Sequence, residues 1–579
     1  MRIKVLFVIL FAMNTISSLN AKTVVINPSA PIQHQFNRKA KYVIKDIINL
    51  DGVTLNVPKR SKLLFDGGSI RNGEIVFNKT TLQGNPLILA KVSGSVTNAQ
   101  LHVDWFLVSN DLDFFFENKS SELTGYRELI FSQKTYNVTV RKMTNGLQLK
   151  DIIVEGNNCT IRAKQGSSLL YSVFPLYNSE NVTIRNMTII GSEESSSIEG
   201  ARHNLCITSC KNITVDNIDT RDAFTDVVYI RDNDGVCINN LRASNNGRQG
   251  CSITSGSNIE ITNSSFSGSY RTAPKSGLDI EPSLPNDVIT GVSISECSFS
   301  DNVSSGLTIF LKECDKLSDV DINISDCVFS GNGNNISVRS NPHSGTGDIR
   351  IANCKLSNSR GVAFQSKCYS SSNTPHISLQ DCEMSNVNMA DGTDVRENAA
   401  FISIHNLSSQ TVNTDVGNIS INNVSFFQGI STKVYRTISL YVDTDAEHCL
   451  DNIEISDVDY KGKKVFTDSY NDYFIYVPQG KHKNIKLSIP YEVSLSKSVS
   501  QALTPAPTYV VSGTGVISLK GQIRPDLFSE INIICKGNCK VKDLASSPIY
   551  YYDGTLYDNK PLGGTIKISN GKLKNSPSN

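Results

Sequence analysis

Residues 250–312 read GCSITSGSNIEITNSSFSGSYRTAPKSGLDIEPSLPNDVITGVSISECSFSDNVSSGLTIFLK. The same arrangement recurs within this stretch: a short run with apolar residues at alternate positions, a Gly or Asn turn, a second run with Ser or Cys and an aromatic, and another turn. Apolar residues at every second position put one side of a strand in a core and the other in water. Working outward, the first strand of each unit aligns as LCIT (205–208), VYIR (228–231), CSIT (251–254), LDIE (278–281), LTIF (307–310), ISVR (336–339) and VAFQ (362–365). The central apolar residue steps from Ile253 to Ile280, Ile309, Val338 and Phe364, intervals of 27, 29, 29 and 26 residues, which is the spacing of a solenoid. The second strand repeats in phase, for example at Ile259, Ile261 and Phe266, then Val292, Ile294, Cys297 and Phe299, then Ile322, Ile324, Cys327 and Phe329.

Units this short cannot bury their apolar side alone, so they must stack on one another. Two or three short strands per turn, joined by Gly, Asn and Asp and lacking a long helical period, predict an all-β parallel β-helix and not a leucine-rich horseshoe. These coils, over residues 150–465, resemble the right-handed parallel β-helix of the pectin-lyase-like superfamily of secreted polysaccharide lyases, glycoside hydrolases, sugar epimerases and phage tailspikes. The resemblance implies an architecture and a carbohydrate-related setting, but no single reaction.

The rest of the chain fits around this solenoid. Residues 1–21 carry Arg2 and Lys4, an apolar run and a polar stretch before Ala21, the pattern of a cleaved secretory signal with no lipobox Cys and no stop-transfer segment. The expected product is secreted or periplasmic, without membrane insertion. Residues 22–100 hold LDGVTLNVPKRSKLLFDGGSIRNGEIVFNKTTLQG (50–84), which reads as an N-terminal cap and first coils covering otherwise exposed strand edges. Residues 101–150 interrupt the repeat, with a short helix expected between 111 and 129. Trp105, the single tryptophan, is expected to serve simple packing, the alternative being an exposed aromatic that stacks on a sugar ring. The β-helix is expected over 151–490 and a small C-terminal β-unit over 491–579.

Lys and Arg number 56 against 55 Asp and Glu, which gives no electrostatic case for nucleic acid or an anionic membrane. Of the 14 cysteines, Cys297, Cys327, Cys354 and Cys382 fall at one repeat position and read as an inward ladder of free thiols. Cys535 and Cys539, in CKGNC, are the best candidates for a bridge. The many Asn-x-Ser/Thr triplets read as turn and Asn-ladder residues.

Outward positions of the aligned first strand are free for chemistry. One column is Cys206, Tyr229, Ser252, Asp279, Thr308, Ser337 and Ala363; the other is Thr208, Arg231, Thr254, Glu281, Phe310, Arg339 and Gln365. Asp279 and Glu281 project together from one strand above small neighbours, at the floor of a possible groove. Two close carboxylates raise each other's affinity for a proton, so one can act as acid while the other is ionised. The same pair could instead hold Ca²⁺, the one cofactor considered. Around them, Arg231, Arg248, Tyr270, Arg271, Lys275, Lys312, Arg339, Tyr229, Asp232 and Asp234 are the candidate substrate-binding residues. Asp232 and Asp234 are equally good turn residues.

These residues predict an exported enzyme that cleaves a polysaccharide partner in a β-helix groove, by glycoside hydrolysis with Glu281 as acid and Asp279 as base or nucleophile. Two alternatives remain open. One is a lyase or epimerase acting on a uronic-acid polymer, with Arg248, Lys275 or Arg339 as base. The other is a non-catalytic glycan-binding solenoid.

Overall fold

Ile253, Ile280, Ile309 and Val338 stand in register across four parallel strands, Gln249–Ile253, Leu278–Ile280, Ser305–Leu311 and Asn334–Ser340. This computed structural model describes residues 22–164, 171–192, 203–311, 319–340, 345–389, 400–406, 414–429, 434, 436–442, 448–460 and 473–477, and mainly strands between 481 and 575. The proposed leader, residues 1–21, lies outside the described residues. Contacts divide the chain into two units, Met1–Ile130 and Phe131–Asn579.

In the second unit one parallel sheet runs from Tyr171–Tyr177 through His203–Thr208, Asp226–Arg231 and the four strands above to Tyr473–Tyr476. A second series of strands, including Glu180–Ile190, Lys211–Arg221 and Asn233–Asn246, makes the other walls of the coils. The chain is a right-handed parallel β-helix, with the stacked parallel coils that the alternation predicts. The alignment fails at its last step. Ile336 pairs with Phe364, so Val338 faces Ser366, Ser337 faces Gln365 and Arg339 faces Lys367. A shift of two residues keeps every side chain on its own face, so the apolar pattern fits both registers.

Like side chains stack from coil to coil. Phe266, Phe299 and Phe329 lie nearly parallel, at centroid distances of 5.3 and 4.7 Å. Cys297, Cys327, Cys354 and Cys382 are buried free thiols. Each donates to the carbonyl two residues upstream, at 3.1 to 3.2 Å. Outside the core, Asn186, Asn217 and Asn240 form a chain of amide bonds of 2.8 and 3.0 Å, with φ of 58°, 54° and 53°. Asn tolerates this left-handed turn better than other non-Gly residues, which is why Asn recurs at this turn in successive coils.

The first unit contains its own mainly parallel strands, among them Lys41–Ile44, Lys62–Phe65, Ser69–Gly84 and Ile88–Val96. The short helix expected between 111 and 129 is Asp113–Asn118. At the C-terminal end the strands from Pro490–Leu495 to Lys572–Asn575 form a five-stranded sheet. The side chains of Cys535 and Cys539, and with them the expected bridge, lie outside the described residues. Among the described residues, no helix is long and apolar enough to cross a membrane.

Candidate active site

The strand Leu278–Ile280 is set by the glycine before it. A Cβ at Gly277 would come within 2.6 Å of Gly306 O, and one at Gly250 within 2.5 Å of Gly277 O, so only glycine lets successive coils approach here. Leu278 and Ile280 enter the core, and alternation sends Asp279 to the outer face, in register with Ser252 and Thr308.

Asp279 nevertheless does not stand in solvent, as the sequence reading expects, because it is 1% exposed. Gln249 covers it, donating from Nε2 to Asp279 Oδ2. Asp279 Oδ1 is buried with no hydrogen-bond partner among the described residues. Burial, and then the charge of Glu281, hold the Asp279 carboxyl well above its ordinary value, while Arg248 pulls it down less strongly. Glu281 is the accessible member of the pair, its side chain 24% exposed.

Arg248 is the centre of the cluster. Nη1 donates to Asp226 Oδ2 and Oδ1 at 3.2 and 3.4 Å and to Gln249 Oε1 at 3.1 Å, Nε donates to Ala273 O at 3.2 Å, and Nη2 lies 3.5 Å from Glu281 Oε2. Burial works against its charge, but Asp226, Asp279 and Glu281 together more than offset this and hold its pKa above the ordinary value. Arg248 therefore serves the acids and is poorly placed to act as a base.

Asp226, His203 and Gln249 were not foreseen. Asp226 is fully buried, which pushes its carboxyl up to about 6 against the opposing pull of Arg248. His203 Nδ1 lies 3.4 Å from Asp226 Oδ2, and its ring stacks on Tyr229 at 4.5 Å and 16°. Burial and Arg248 lower the imidazole to about 3, so it is neutral, and its Nε2 is buried without a hydrogen-bond partner among the described residues. Each of the three lies three residues before an outward column residue: Cys206, Tyr229 or Ser252. That spacing gives inward parity, so alternation assigns these positions to the core. Their polarity at a nominally apolar place was the available signal.

The remaining candidates are dispersed. Arg231 donates from Nη2 to Asp287 Oδ1 at 2.8 Å and lies 3.4 Å from Asp232, which places Asp232 as its partner at a turn. Asp234 accepts from Ser257 and Asn258 in the neighbouring wall and belongs to that ladder rather than to the acid cluster. Arg339 lies over the Phe310 ring at 4.7 Å. Arg271 lies over Phe224 and donates to the hydroxyl of Tyr270, which is exposed, and Lys275 is half-buried. Lys312 lies outside the described residues.

For the calcium ion considered from sequence, a hard cation needs ionised, unengaged oxygens; Arg248 bridges Asp226 and Glu281 at 3.2 and 3.5 Å, and burial raises the affinity of Asp279 for a proton. Among the described residues, no three His, Cys, Asp or Glu side chains are arranged to hold a metal ion.

The fold and this cluster define a β-helix protein with a buried acid group under one wall of its solenoid. No protein-family model matches the chain. Over 222 residues it is 26% identical to a Bacillus subtilis (strain 168) protein described as uncharacterized, YclG; the match covers 32% of this chain and 38% of that relative, so it spans well under half of the relative's length. Among solved structures it is similar to the Azotobacter vinelandii mannuronan C-5 epimerase AlgE4 A-module, at 13% identity over 62% of this chain and 90% of that one, with a TM-score of 0.43. The Yersinia enterocolitica family 28 exopolygalacturonase is 10% identical over 68% and 79% of the two chains, with a TM-score of 0.46. The Streptococcus pneumoniae surface adhesin PfbA is 11% identical over 82% and 99%, with a TM-score of 0.38. The coil register itself establishes the fold, and none of these likenesses assigns a reaction.

Proposed function

We propose that the protein is an exported carbohydrate-active enzyme that hydrolyses a glycosidic bond at the Asp279 and Glu281 pair. One observation carries the reading: a fully buried carboxyl, Asp279, stands two residues before a second carboxyl, Glu281, that is open to a ligand, and burial together with the charge of Glu281 raises the affinity of Asp279 for a proton. Such a pair shares a proton, which is what general acid catalysis at a leaving glycosidic oxygen needs. Glu281 is the group that reaches substrate. Asp279, too deep to attack a sugar carbon, stores the proton and passes it through Glu281. In the mechanism, Glu281 protonates the leaving oxygen and the C–O bond breaks; water then adds to the sugar carbon and its proton returns to the pair.

The arrangement favours hydrolysis over β-elimination or epimerisation. Those reactions need a cation to neutralise a uronate carboxylate and a base to take the α-proton, but the cation at this site, Arg248, is already paired with Asp226 and Glu281.

The purified protein is incubated with neutral and uronic-acid polysaccharides and read by both reducing ends and ultraviolet absorbance. New reducing ends without an unsaturated product, abolished in Glu281→Gln, support hydrolysis. An ultraviolet-absorbing product overturns it in favour of elimination. Sugar binding without turnover assigns the protein to the non-catalytic class.

A further inference from the structure

The first unit holds a separate cleft of about 600 Å³ lined by, among others, Gln83, Gln100, His102, Trp105, Arg127 and Glu128. It owes its aromatic wall to the turn that follows strand Gln100–His102. Val103–Phe106 forms one 3₁₀ turn, with three residues per revolution, so Val103 and Phe106 fall on the same side, and both are buried. Asp104 and Trp105 are thereby turned away from the core, and Trp105 is only half-buried. Phe106, and not Trp105, fills the core, contrary to the expectation of a simple packing role for the tryptophan. The indole meets His102 at 5.2 Å and 45°, which braces one edge.

The polar lining is also fixed in place. Asn98 accepts from Leu82 N at 2.8 Å and donates to Leu82 O at 2.9 Å, joining the two chain segments that line the cleft. Gln100 donates from Nε2 to Glu128 Oε2 at 2.7 Å, which orients both side chains. Arg127, exposed, adds a guanidinium to the lining and Glu128 a carboxylate, so the formal charges of these two cancel.

We infer that this cleft is a second carbohydrate-binding site, which takes a neutral sugar ring of an oligosaccharide against Trp105. A pyranose has one face of C–H groups and a rim of hydroxyls. The flat indole suits the first, and amide, carboxylate and guanidinium groups suit the second. Balanced charge selects against a strongly anionic chain. The site lies in the first unit and does not depend on the hydrolytic reading of Glu281; it would tether a polymer whatever reaction follows.

Because Trp105 is the only tryptophan, emission excited at 295 nm reports on this cleft alone. The full chain is titrated with cello-, laminari-, manno- and xylo-hexaose and with a hexamer of galacturonic acid. The expected result is a saturable blue shift with at least one neutral hexaose, retained in Glu281→Gln, with Arg127→Ala weakening it several-fold. Calorimetry on Trp105→Phe and Trp105→Ala should show affinity falling about tenfold in the Ala variant, the size of one lost stacking contact, and much less in Phe. Arg127→Ala alters an exposed side chain and guards against a folding defect in Trp105→Ala. An unchanged spectrum with every sugar overturns the site, as does a shift confined to the galacturonate hexamer or abolished in Glu281→Gln. Failure of hydrolysis with the spectral shift intact would overturn only the reading of the acid pair.

Discussion

Arg231 Nη2 and Asp287 Oδ1 are joined at 2.8 Å across 56 residues of chain, and Asp287 Oδ2 accepts from both Ser283 N and Leu284 N at 2.7 Å. One carboxylate therefore closes the loop that follows Glu281 and ties it to a coil two turns away. Asp287 is 2% exposed and Arg231 20% exposed on their side chains, so removing the acid leaves a largely buried cation with the exposed Asp232, 3.4 Å away, as its remaining acidic partner. Asp287→Ala should cost about 3–5 kcal/mol of stability, and Asp287→Asn, which keeps an oxygen for the turn, clearly less. Thermal and denaturant unfolding of the two variants checks this, and equal losses would show that the loop bonds contribute little.

Arg248 makes a different kind of contact, because it is shared between Asp226 and Glu281 with Asp279 close by. Arg248→Met should be strongly destabilising, since Asp226 and Asp279 then lose the cation beside them. Adding Asp226→Asn should recover part of the loss. A double-mutant cycle on denaturation midpoints measures the coupling, expected at about 1–3 kcal/mol. Strict additivity of the two changes would mean that the buried Asp226 carboxyl is already neutral in the wild type.

The two parts of the molecule were unequally legible from sequence. The coils were legible because Ile253, Ile280 and Ile309 obey a period of two within the strand and a nearly constant spacing along the chain, and stacking demands both. The register error at residues 362–365 has the same origin: Val362 and Phe364 are both apolar and both inward, so the pattern does not choose between them. Asp279 and Glu281 were found as outward acids, but alternation says nothing of cover, and Gln249 and Arg248 bury Asp279 from outside the aligned strand positions. Asp226 and His203 were missed because they sit at inward parity, where an acid and an imidazole become tolerable only through mutual contact and Arg248. Arg231 and Arg339, placed two coils to either side of Glu281, turned to nearer partners, as expected when about 10 Å of separation leaves little attraction in water.

The acid pair predicts separable effects on rate and stability. Glu281→Gln should lower kcat by about 10²–10⁴-fold with substrate affinity nearly unchanged, since it removes the proton donor and keeps the shape. Asp279→Asn replaces a carboxyl whose charged form burial disfavours by an uncharged group of the same size, so it should be at least as stable as the wild type while losing a comparable share of rate. The comparison needs only turnover and melting curves for the two variants. Full activity in Asp279→Asn would remove Asp279 from the proton path.

Asp226 and His203 predict opposite pH dependences within one contact. The Asp226 carboxyl is raised from 3.8 to about 6 in the folded protein, so the fold binds this proton more tightly than the unfolded chain does, and the associated stability is present below about pH 4 and lost as pH rises through 6. The His203 imidazole is lowered from 6.5 to about 3, so its contribution is present above about pH 6.5 and lost as pH falls toward 3. Between roughly pH 4 and 6 the two slopes oppose each other at up to about 1.4 kcal/mol per pH unit each, and the wild-type profile there should be flat with respect to this pair. Asp226→Asn should therefore gain stability relative to wild type as pH rises from 4 to 7, and His203→Gln should gain as pH falls across the same interval. Melting temperatures at half-unit pH steps for the three proteins check both signs. Parallel profiles would mean that neither group changes its proton affinity on folding.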